Sequence, residues 1–421
     1  MRRVALPCDP TGWTGPESLD FHGPVDTFVV YVHGTNSRMK NTRLLIIFLI
    51  VFIDLLGFGI VIPILPSYAQ GVFHASDFTV GMLVASFSFM QLVFTPFWGR
   101  LSDRIGRKPV LMIGLANTVI GYVLFGFAHT LPMLFFSRML AGLGGANISA
   151  AQAYIADVTP VHERAKGMGL IGAAFGLGFV FGPVIGGLLS TYGYAVPGFA
   201  AAGLSTIALI LTYTVLPEPE RDSSIARVST AFSLRGFTDT LRKPRIGLLL
   251  ILFFLVTFAY ANIYATFPIL ARSDFHYGDH EIGFLFGFIG IVGALTQGGL
   301  IRLFSGKVSE RTLFLAGSAM TMIGLVCIPL SGNTWILHGV LTVLAFGSGL
   351  VTPQVLGMIS QQAGPAEQGS ILGINQSLGA LARGLGPLWG GFIFQTAGHP
   401  YPFFTGGAVM LVVLLISWRS L

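Results

Sequence analysis

The chain has 421 residues, of which 53% are hydrophobic and only 10% are charged. Soluble domains carry about a quarter charged residues, so this composition excludes them and indicates a membrane protein. The net charge of +6 comes from loops between apolar stretches and does not suggest a nucleic-acid-binding surface. The two cysteines, Cys8 and Cys327, indicate neither a disulfide framework nor a metal site, and we predict no cofactor.

The first segment, residues 1–38, differs from the rest of the chain. It mixes proline, glycine and acidic residues, and Met39 then opens a short basic run directly ahead of the first apolar stretch. Two interpretations stay open for this segment: a translation start assigned too early, or a disordered tail.

Apolar stretches long enough to cross a bilayer, which takes about 20 residues, recur from Leu44 onward. We predict an all-α membrane protein with transmembrane helices at 44–68, 79–98, 109–128, 131–157, 165–190, 195–216, 246–270, 281–303, 311–330, 333–360, 367–395 and 400–419. Basic residues concentrate in the loops on one side, and only Arg272 falls on the other. The positive-inside rule therefore predicts cytoplasmic termini in a bacterial-type cytoplasmic membrane.

An internal repeat divides the chain. Residues 163–187 align without gaps to residues 367–391, and both segments end in Gly-Pro-x-x-Gly-Gly. The Pro-Ile-Leu at 63–65 is likewise repeated at 268–270. Such a duplication predicts two six-helix halves, at 39–216 and 246–421, joined by a cytoplasmic linker at 217–245.

Full charges deep in the predicted spans are rare, and they are Asp54, Arg138 and Arg383. A charge inside a bilayer is costly and is expected to have a partner or a function. Asp54 and Arg138 both lie near the midplane of their spans, which makes them candidates for an interaction with each other. This pair is interpreted either as a site of proton coupling or as a static ion pair that fixes helix packing.

Two motifs have unusual patterning. Residues 99–109 read G-R-L-S-D-R-I-G-R-K-P, in which the glycines permit a tight reversal and Asp103 can pair with neighbouring guanidinium groups. Without further information, this loop is also interpretable as a solvated basic turn. Span 5 carries a second motif, made of Gly169, Gly178, Gly182, Pro183, Gly186 and Gly187. Gly178, Gly182 and Gly186 recur every four residues and so form one face of bare backbone suited to close helix packing, and Pro183 is expected to bend the helix.

These motifs resemble those of the major facilitator superfamily, most closely its twelve-span drug/proton antiporters, including the tetracycline exporters. The charged loop is similar to the loop between helices 2 and 3 of that family, and span 5 resembles its antiporter signature. The Asp54 motif D-x-x-G-x-G, Arg138 with Gly142, and Gln91 match further family positions. The resemblance implies proton coupling at Asp54 and Arg138, and gating by Gly99, Asp103, Arg104, Gly106, Arg107, Asp157 and Arg164.

The resemblance implies a proton-coupled secondary transporter that exports small amphiphilic molecules by alternating access, with lipid and protons as its other partners. A proton-coupled symporter that takes up a small solute is the alternative, although the span-5 signature favours export. The chain departs from the tetracycline exporters in span 3, where Gly121 and Tyr122 stand in place of an acid. It also lacks an acid in span 9 and a histidine in span 8, so magnesium–tetracycline is not the implied substrate.

Polar and aromatic residues of the inward spans are the candidates for a substrate cavity, although packing or interhelical hydrogen bonding is the alternative for each. They are Gln91, Asn147, Tyr260, Asn262, Gln354, Asn375, Gln376 and Arg383. Arg383 is interpreted either as an attractor of anionic substrates or as a structural partner.

Two other classes fit the sequence less well. A membrane enzyme would need a nucleophile–base pair or a metal-ligand cluster at one depth, and the sequence offers none. A non-transporting receptor of this fold would be expected to have lost the charged loop. We therefore expect a transporter, not an enzyme, that is monomeric and binds no nucleic acid.

Overall fold

The computed structural model describes residues 24–159, 164–219, 234–304, 306–362 and 368–421, and they are almost entirely helical. A π-helical turn at Thr296–Leu300 and a 3-10 turn at Ile328–Leu330 interrupt the later helices. The α-helices are α1 (Pro24–Val61), α2 (Leu65–Phe73), α3 (Asp77–Ile105), α4 (Arg107–Gly126), α5 (Leu131–Gly145), α6 (Ile148–Val158), α7 (Arg164–Ser190), α8 (Ala195–Thr214), α9 (Leu234–Arg242), α10 (Pro244–Ala261), α11 (Ile263–Phe275), α12 (Asp279–Leu295), α13 (Ile301–Phe304), α14 (Glu310–Cys327), α15 (Thr334–Gln362), α16 (Gln368–Ala397) and α17 (Tyr401–Ser420).

The chain divides into two units, Met1–Thr42 and Arg43–Leu421. In the first unit the described residues, from Pro24 onward, belong to α1. Residues 1–23 lie outside the described part of the chain, so the interpretations of residues 1–38 stay predictions. The second unit contains all the predicted spans.

Ten helical segments of the described chain are long and apolar enough to cross a membrane. The two remaining predicted spans are also helical. Span 4 is divided between α5 and α6, each too short to cross alone, and span 11 is α16, which carries the polar residues Asn375, Gln376 and Arg383. Helices therefore cover every predicted span, and the all-α membrane fold is confirmed.

Spans 1, 4 and 7 are broken, although the sequence analysis predicted them as continuous. Span 1 turns at residues 62–64 around Pro63, which has no N–H to continue the helical hydrogen bonding. Span 7 breaks at Asn262, whose Nδ2 donates to the carbonyl of Pro402 at 3.1 Å and whose Oδ1 accepts from the Thr266 hydroxyl at 2.8 Å. Such polar groups stabilise a break where no water is present.

The first and second sets of six spans build the same corner after their first span. Gln70 Nε2 donates to Asp77 Oδ1 at 2.7 Å in the first set. In the second set, Arg272 Nη2 donates to Asp279 Oδ1 at 2.9 Å. These equivalent hydrogen bonds show that the internal repeat of the sequence extends to the local structure of the two sets.

The two sets touch where α3 crosses α16 and where α7 crosses α12. A Cβ atom on Gly81 of α3 would lie 3.2 Å from the Cα of Gly391 on α16. A Cβ atom on Gly187 of α7 would lie 3.1 Å from the Cα of Gly283 on α12. The backbones are thus in direct contact at the end of the bundle that carries Asp77, which we call the closed end.

The same helices do not touch at the opposite end, which carries the α3–α4 loop and is called the basic end. Gly99, Gly169 and Gly373 lie about five turns along from Gly81, Gly187 and Gly391, and so on the same helix faces. A Cβ atom on any of these three would meet nothing within 4 Å. The space between the two sets is therefore open at the basic end.

Candidate functional site

Asp54 lies near the middle of the first span, on α1. It is partly exposed and lies beside Ser205 of α8. Its Oδ1 atom is buried and has no hydrogen-bond partner among the described residues. Tyr122 of α4, only 1% exposed, lies close enough to interact electrostatically with the Asp54 carboxylate. The acid therefore has a small polar environment inside the first set of spans.

Arg138 of α5 is a second charged neighbour of Tyr122. Its guanidinium is within hydrogen-bonding reach of the Tyr122 phenol and lies 4.9 Å from the centre of the Phe87 ring. Its Nε and Nη1 atoms have no hydrogen-bond partner among the described residues. No ion pair of the described chain joins Asp54 to Arg138. Tyr122 is instead the residue that interacts with both charges.

The glycine face of span 5 packs against α1. A Cβ atom on Gly182 would lie 2.6 Å from the Cα of Gly59, and one on Gly178 would lie 3.1 Å from the backbone of Leu55. Gly186 makes the same kind of approach to the carbonyl of Ile60. This seam therefore lies on the turns of α1 that directly follow the acid.

The other residues of the span-5 motif have different surroundings. Gly187 contacts α12 at the closed end, and the carbonyl of Pro183 faces Gly283 of the same helix. Pro183 lies inside α7, which continues through it as a single helix. Gly169 faces the open space at the basic end. The residues of the motif thus lie on three different surfaces: the seam with α1, the contact at the closed end and the wall of the open space.

A row of aromatic rings crosses from the first set of spans to the second. Phe87 lies 4.5 Å from Phe58, and Phe58 lies 5.8 Å from Phe179 of α7. Phe179 stacks at 5.9 Å on Tyr264 of α11, which belongs to the second set. We call Phe87, Phe58, Phe179 and Tyr264 the aromatic row. It begins at Arg138 and ends near a second arginine.

That second arginine is Arg383 of α16. Its Nη2 donates to Gln91 Oε1 of α3 at 3.3 Å, and Gln91 Nε2 donates in turn to the carbonyl of Gly145 at 3.1 Å. Tyr264 lies within electrostatic reach of the Arg383 guanidinium. Two predicted cavity residues, Gln91 and Arg383, are therefore brought together across the interface between the two sets of spans.

The other candidates for the cavity are placed variously. Asn147 and Asn262 are buried, the first against Gly114 and the second at the break in span 7. Gln354 and Asn375 are also buried, and the Oδ1 atom of Asn375 has no hydrogen-bond partner among the described residues.

Tyr260 and Gln376 are partly exposed. The ring of Tyr260 lies 6.0 Å from that of Tyr264, which places it beside the aromatic row. Among the described residues, no group of three or more histidine, cysteine or acidic side chains could hold a metal ion.

The charged loop is built around Arg107, which is only 6% exposed. Its Nη1 lies 2.7 Å from Asp103 Oδ1 and donates to the Ser102 hydroxyl at 2.6 Å. Its Nε donates to Asp157 Oδ2 on α6 at 2.9 Å. Arg107 therefore ties α3, α4 and α6 together. Of the other gating candidates, Arg104 is exposed, and the side chain of Arg164 lies outside the described residues.

Glu218, which the sequence analysis missed, completes the loop. Its two carboxylate oxygens accept the backbone N–H groups of Arg107 and Lys108, at 2.7 and 2.9 Å, and so cap the start of α4. Gly106 has a φ of 115°, and a Cβ atom there would lie 2.8 Å from Glu218 Oε1. The sequence around it, Pro217-Glu218-Pro219-Glu220, contains a second acid and does not single out Glu218.

Residues 47–387 match the Major Facilitator Superfamily. The chain belongs to this superfamily. The class E tetracycline resistance protein of Escherichia coli is 30% identical over 387 residues, which cover 90% of this chain and 95% of that protein. Multidrug resistance protein 1 of Bacillus subtilis is 32% identical over 384 residues, which cover 90% of this chain and 97% of that protein.

The fold is shared with a transporter of solved structure. The crystal structure of the human organic anion transporter MFSD10 (TETRAN) has a TM-score of 0.70 to this chain at 23% identity, and covers 90% of this chain and 99% of its own. The chain is therefore an integral membrane protein of the major facilitator fold, and its relatives are transporters.

Proposed function

We propose that this protein is a proton-coupled secondary transporter that exports small amphiphilic molecules by alternating access. The observation that carries the proposal is the position of Asp54. This acid lies deep in a span, and the glycines of the span-5 motif pack on the turns of α1 that directly follow it. A change of charge at Asp54 thus occurs beside a direct contact between the backbones of α1 and α7.

The coupling follows from charge and packing. With Asp54 ionised, its charge offsets that of Arg138 across Tyr122; when Asp54 takes up a proton, the positive charge of Arg138 is left without this balance. A shift of α1 in response is passed to α7, because the two backbones touch at Gly59 and Gly182. The same α7 carries Gly187, which contacts α12 at the closed end.

Alternating access is supported by the spacing of the glycines. Gly99 and Gly373 lie on the same faces as the touching pair Gly81 and Gly391, but they are apart in this conformation. A rocking motion of residues 39–216 against residues 246–421 would bring the basic end together and separate the closed end. We propose that these two halves move as units, in a protein that is monomeric.

The orientation follows from the positive-inside rule, which places the basic end, the linker and both termini in the cytoplasm of a bacterial-type cytoplasmic membrane. The open space then faces the cytoplasm and can receive a substrate there. The printed names of the relatives, tetracycline resistance and multidrug resistance, support amphiphilic drugs or metabolites as substrates. The chain is not proposed to be an enzyme.

The sign of proton movement distinguishes an exporter from a symporter. Purified protein is placed in proteoliposomes that contain a pH-sensitive dye and an amphiphilic substrate, and the substrate is allowed to leave. An antiporter brings protons in, so the internal pH falls; a symporter carries protons out, so the internal pH rises. Proton-coupled export would be rejected if the protein releases the substrate while the internal pH rises or stays constant.

A further inference from the structure

Arg383 lies where the contact between the two halves ends. On the closed-end side, a Cβ atom on Gly384 would lie 3.1 Å from the ring of Phe89 on α3. Toward the basic end, Gly373 on the same helix faces open space. Arg383, a partly exposed residue, therefore lies at the inner limit of the space that is open at the basic end.

No carboxylate neutralises this charge among the described residues. The ion pairs of the described chain include neither Arg383 nor Arg138, and the protein partner of the Arg383 guanidinium is the neutral amide of Gln91 at 3.3 Å. An arginine fork can bind a second, anionic partner through two parallel hydrogen bonds, and it does so most strongly away from bulk water. The site thus has an excess of positive charge and unused donors.

The aromatic row supplies a flat surface beside that charge. Tyr264 lies within electrostatic reach of Arg383 and stacks on Phe179 with the ring planes 28° apart. Both residues are partly exposed, as is Phe58, which meets Phe179 edge-on. A ligand with an apolar ring system next to an anionic group would therefore suit this site, because its rings can pack on the aromatic side chains while its anionic group pairs with the guanidinium.

We propose that Arg383, Tyr264 and Phe179 form a subsite for aromatic organic anions, that is, flat ring systems bearing a carboxylate or a sulfonate. The inference rests on the proposed function, because the subsite serves the transported molecule. The anionic group pairs with Arg383 and the rings pack on Tyr264 and Phe179. Gln91 orients the guanidinium from the opposite half.

Anion export has an electrical consequence. If one proton enters for each monovalent anion that leaves, two positive charges move inward in each cycle. A neutral substrate would move one charge and a monovalent cation none. An inside-negative membrane potential therefore accelerates the export of an anion more than that of a neutral molecule of the same shape.

The test uses naphthalene probes that differ in charge: a sulfonate, a neutral sulfonamide and a methylammonium. Equilibrium dialysis with the purified full-length protein in detergent measures binding, and proton-driven export from oriented proteoliposomes measures transport. The wild type is expected to bind the sulfonate most tightly. Arg383→Gln is expected to weaken sulfonate binding about tenfold or more, because a hydrogen-bonded ion pair is lost, and to leave sulfonamide binding within about twofold.

Two further variants separate a ligand contact from a structural role. Gln91→Met removes the protein acceptor of Arg383 and keeps the charge, so it is expected to weaken sulfonate binding less than Arg383→Gln does. Arg419→Gln, an exposed change at the end of α17, is the matched control and should have no effect. If Arg383→Gln weakens all three probes equally, or if the wild type prefers the amide or the ammonium, the subsite proposal is overturned.

The two proposals fail in different ways. Charge-selective binding that depends on Arg383, without proton-driven export of any probe, would uphold the subsite and overturn the proposed function. Proton-driven export of the ammonium probe alone would uphold the function and overturn the subsite.

Discussion

Arg138 occupies the middle of the first half without a carboxylate partner among the described residues. Its neighbours are the Phe87 ring, whose centre lies 4.9 Å away, and the Tyr122 phenol. A desolvated cation–π contact contributes about 2 kcal/mol, which offsets part of the cost of burying the charge. Asp54 interacts with the same Tyr122, so the charge of this group of residues depends on whether Asp54 holds a proton.

The first prediction concerns Asp54→Asn. Asparagine has the shape of the acid but cannot gain or lose a proton, so proton-driven transport is expected to fall to background. Folding should be nearly unaffected, because Asp54 Oδ1 makes no hydrogen bond to the described residues. Thermal unfolding in detergent and proton-driven export from proteoliposomes are the two measurements.

Asp239→Asn provides the matched control, since Asp239 is exposed on α9 outside the membrane spans. It should transport normally. Full proton-driven export by the Asp54→Asn variant would show that protons are carried elsewhere.

At this scale, sequence reasoning found the charges but not all of their partners. Asp54, Arg138 and Arg383 stand out because they interrupt apolar spans. Tyr122 and Glu218 do not stand out: a tyrosine in a span and an acid after a span are ordinary features. Their roles arise from packing between helices distant in sequence, such as Glu218 against the start of α4.

Helix α7 connects the seam beside Asp54, the closed end and the open space at the basic end. It contacts α1 through Gly182, contacts α12 through Gly187 and faces the open space through Gly169. Because the contacts are made by backbone, α7 and α1 can lie close together without interlocking side chains. This arrangement permits small relative movements that bulky side chains would block.

The second prediction concerns Gly182→Leu. Even a Cβ atom at this position would lie 2.6 Å from the Cα of Gly59, so a leucine must push α7 and α1 apart. Overpacking of this kind costs about 1–3 kcal/mol, and the variant is expected to melt at a lower temperature and to lose transport.

Gly203→Leu on α8 is the control, because Gly203 is exposed and a Cβ atom there meets nothing within 4 Å. It should melt and transport like the wild type. If Gly182→Leu also keeps normal stability and turnover, the seam between α7 and α1 has no role in transport.

The sequence located the helices well because hydrophobic length determines a membrane span. It did not locate the breaks in spans 1, 4 and 7. Pro63 was recognised as part of a motif. Asn262 was a candidate for substrate binding or for an interhelical hydrogen bond; its bonds to Pro402 and Thr266 are at the break, and its substrate role stays a prediction. A polar residue in a span can serve either purpose, and only the position of its partners distinguishes them.

For the molecule as a whole, this conformation is one of the two that alternating access requires. The halves touch at the closed end and separate toward the basic end, while Arg107 holds its ion pairs with Asp103 and Asp157 inside the first half. The family resemblance implies that Asp103 and Arg107 also latch the basic end when it closes. By the same resemblance Asp103 would then face the start of span 11, near Pro365, which lies outside the described residues.

The third prediction concerns that latch. Asp103→Asn is expected to favour the state that is open at the basic end. A partly exposed ion pair contributes up to about 1 kcal/mol, which corresponds to about a fivefold change in the equilibrium. The measurement uses a background with Cys8 and Cys327 replaced by serine and with Gly172, which faces open space, replaced by cysteine. A thiol reagent should label this cysteine faster in the Asp103→Asn variant than in the same background with Asp103 intact. Unchanged labelling together with normal export would mean that the loop only anchors the topology.

The most direct test of the account uses a reversible cross-link that prevents the closed end from opening. The rings of Phe78 on α3 and Phe392 on α16 lie 6.0 Å apart across the two halves, and cysteines at both positions can be joined by a short bis-methanethiosulfonate reagent that a reductant removes. The control joins Phe127 to Phe199, whose rings lie 4.9 Å apart within the first half. We predict that only the first link stops proton-driven export and that reduction restores it. Undiminished export with the halves joined would contradict alternating access through this end.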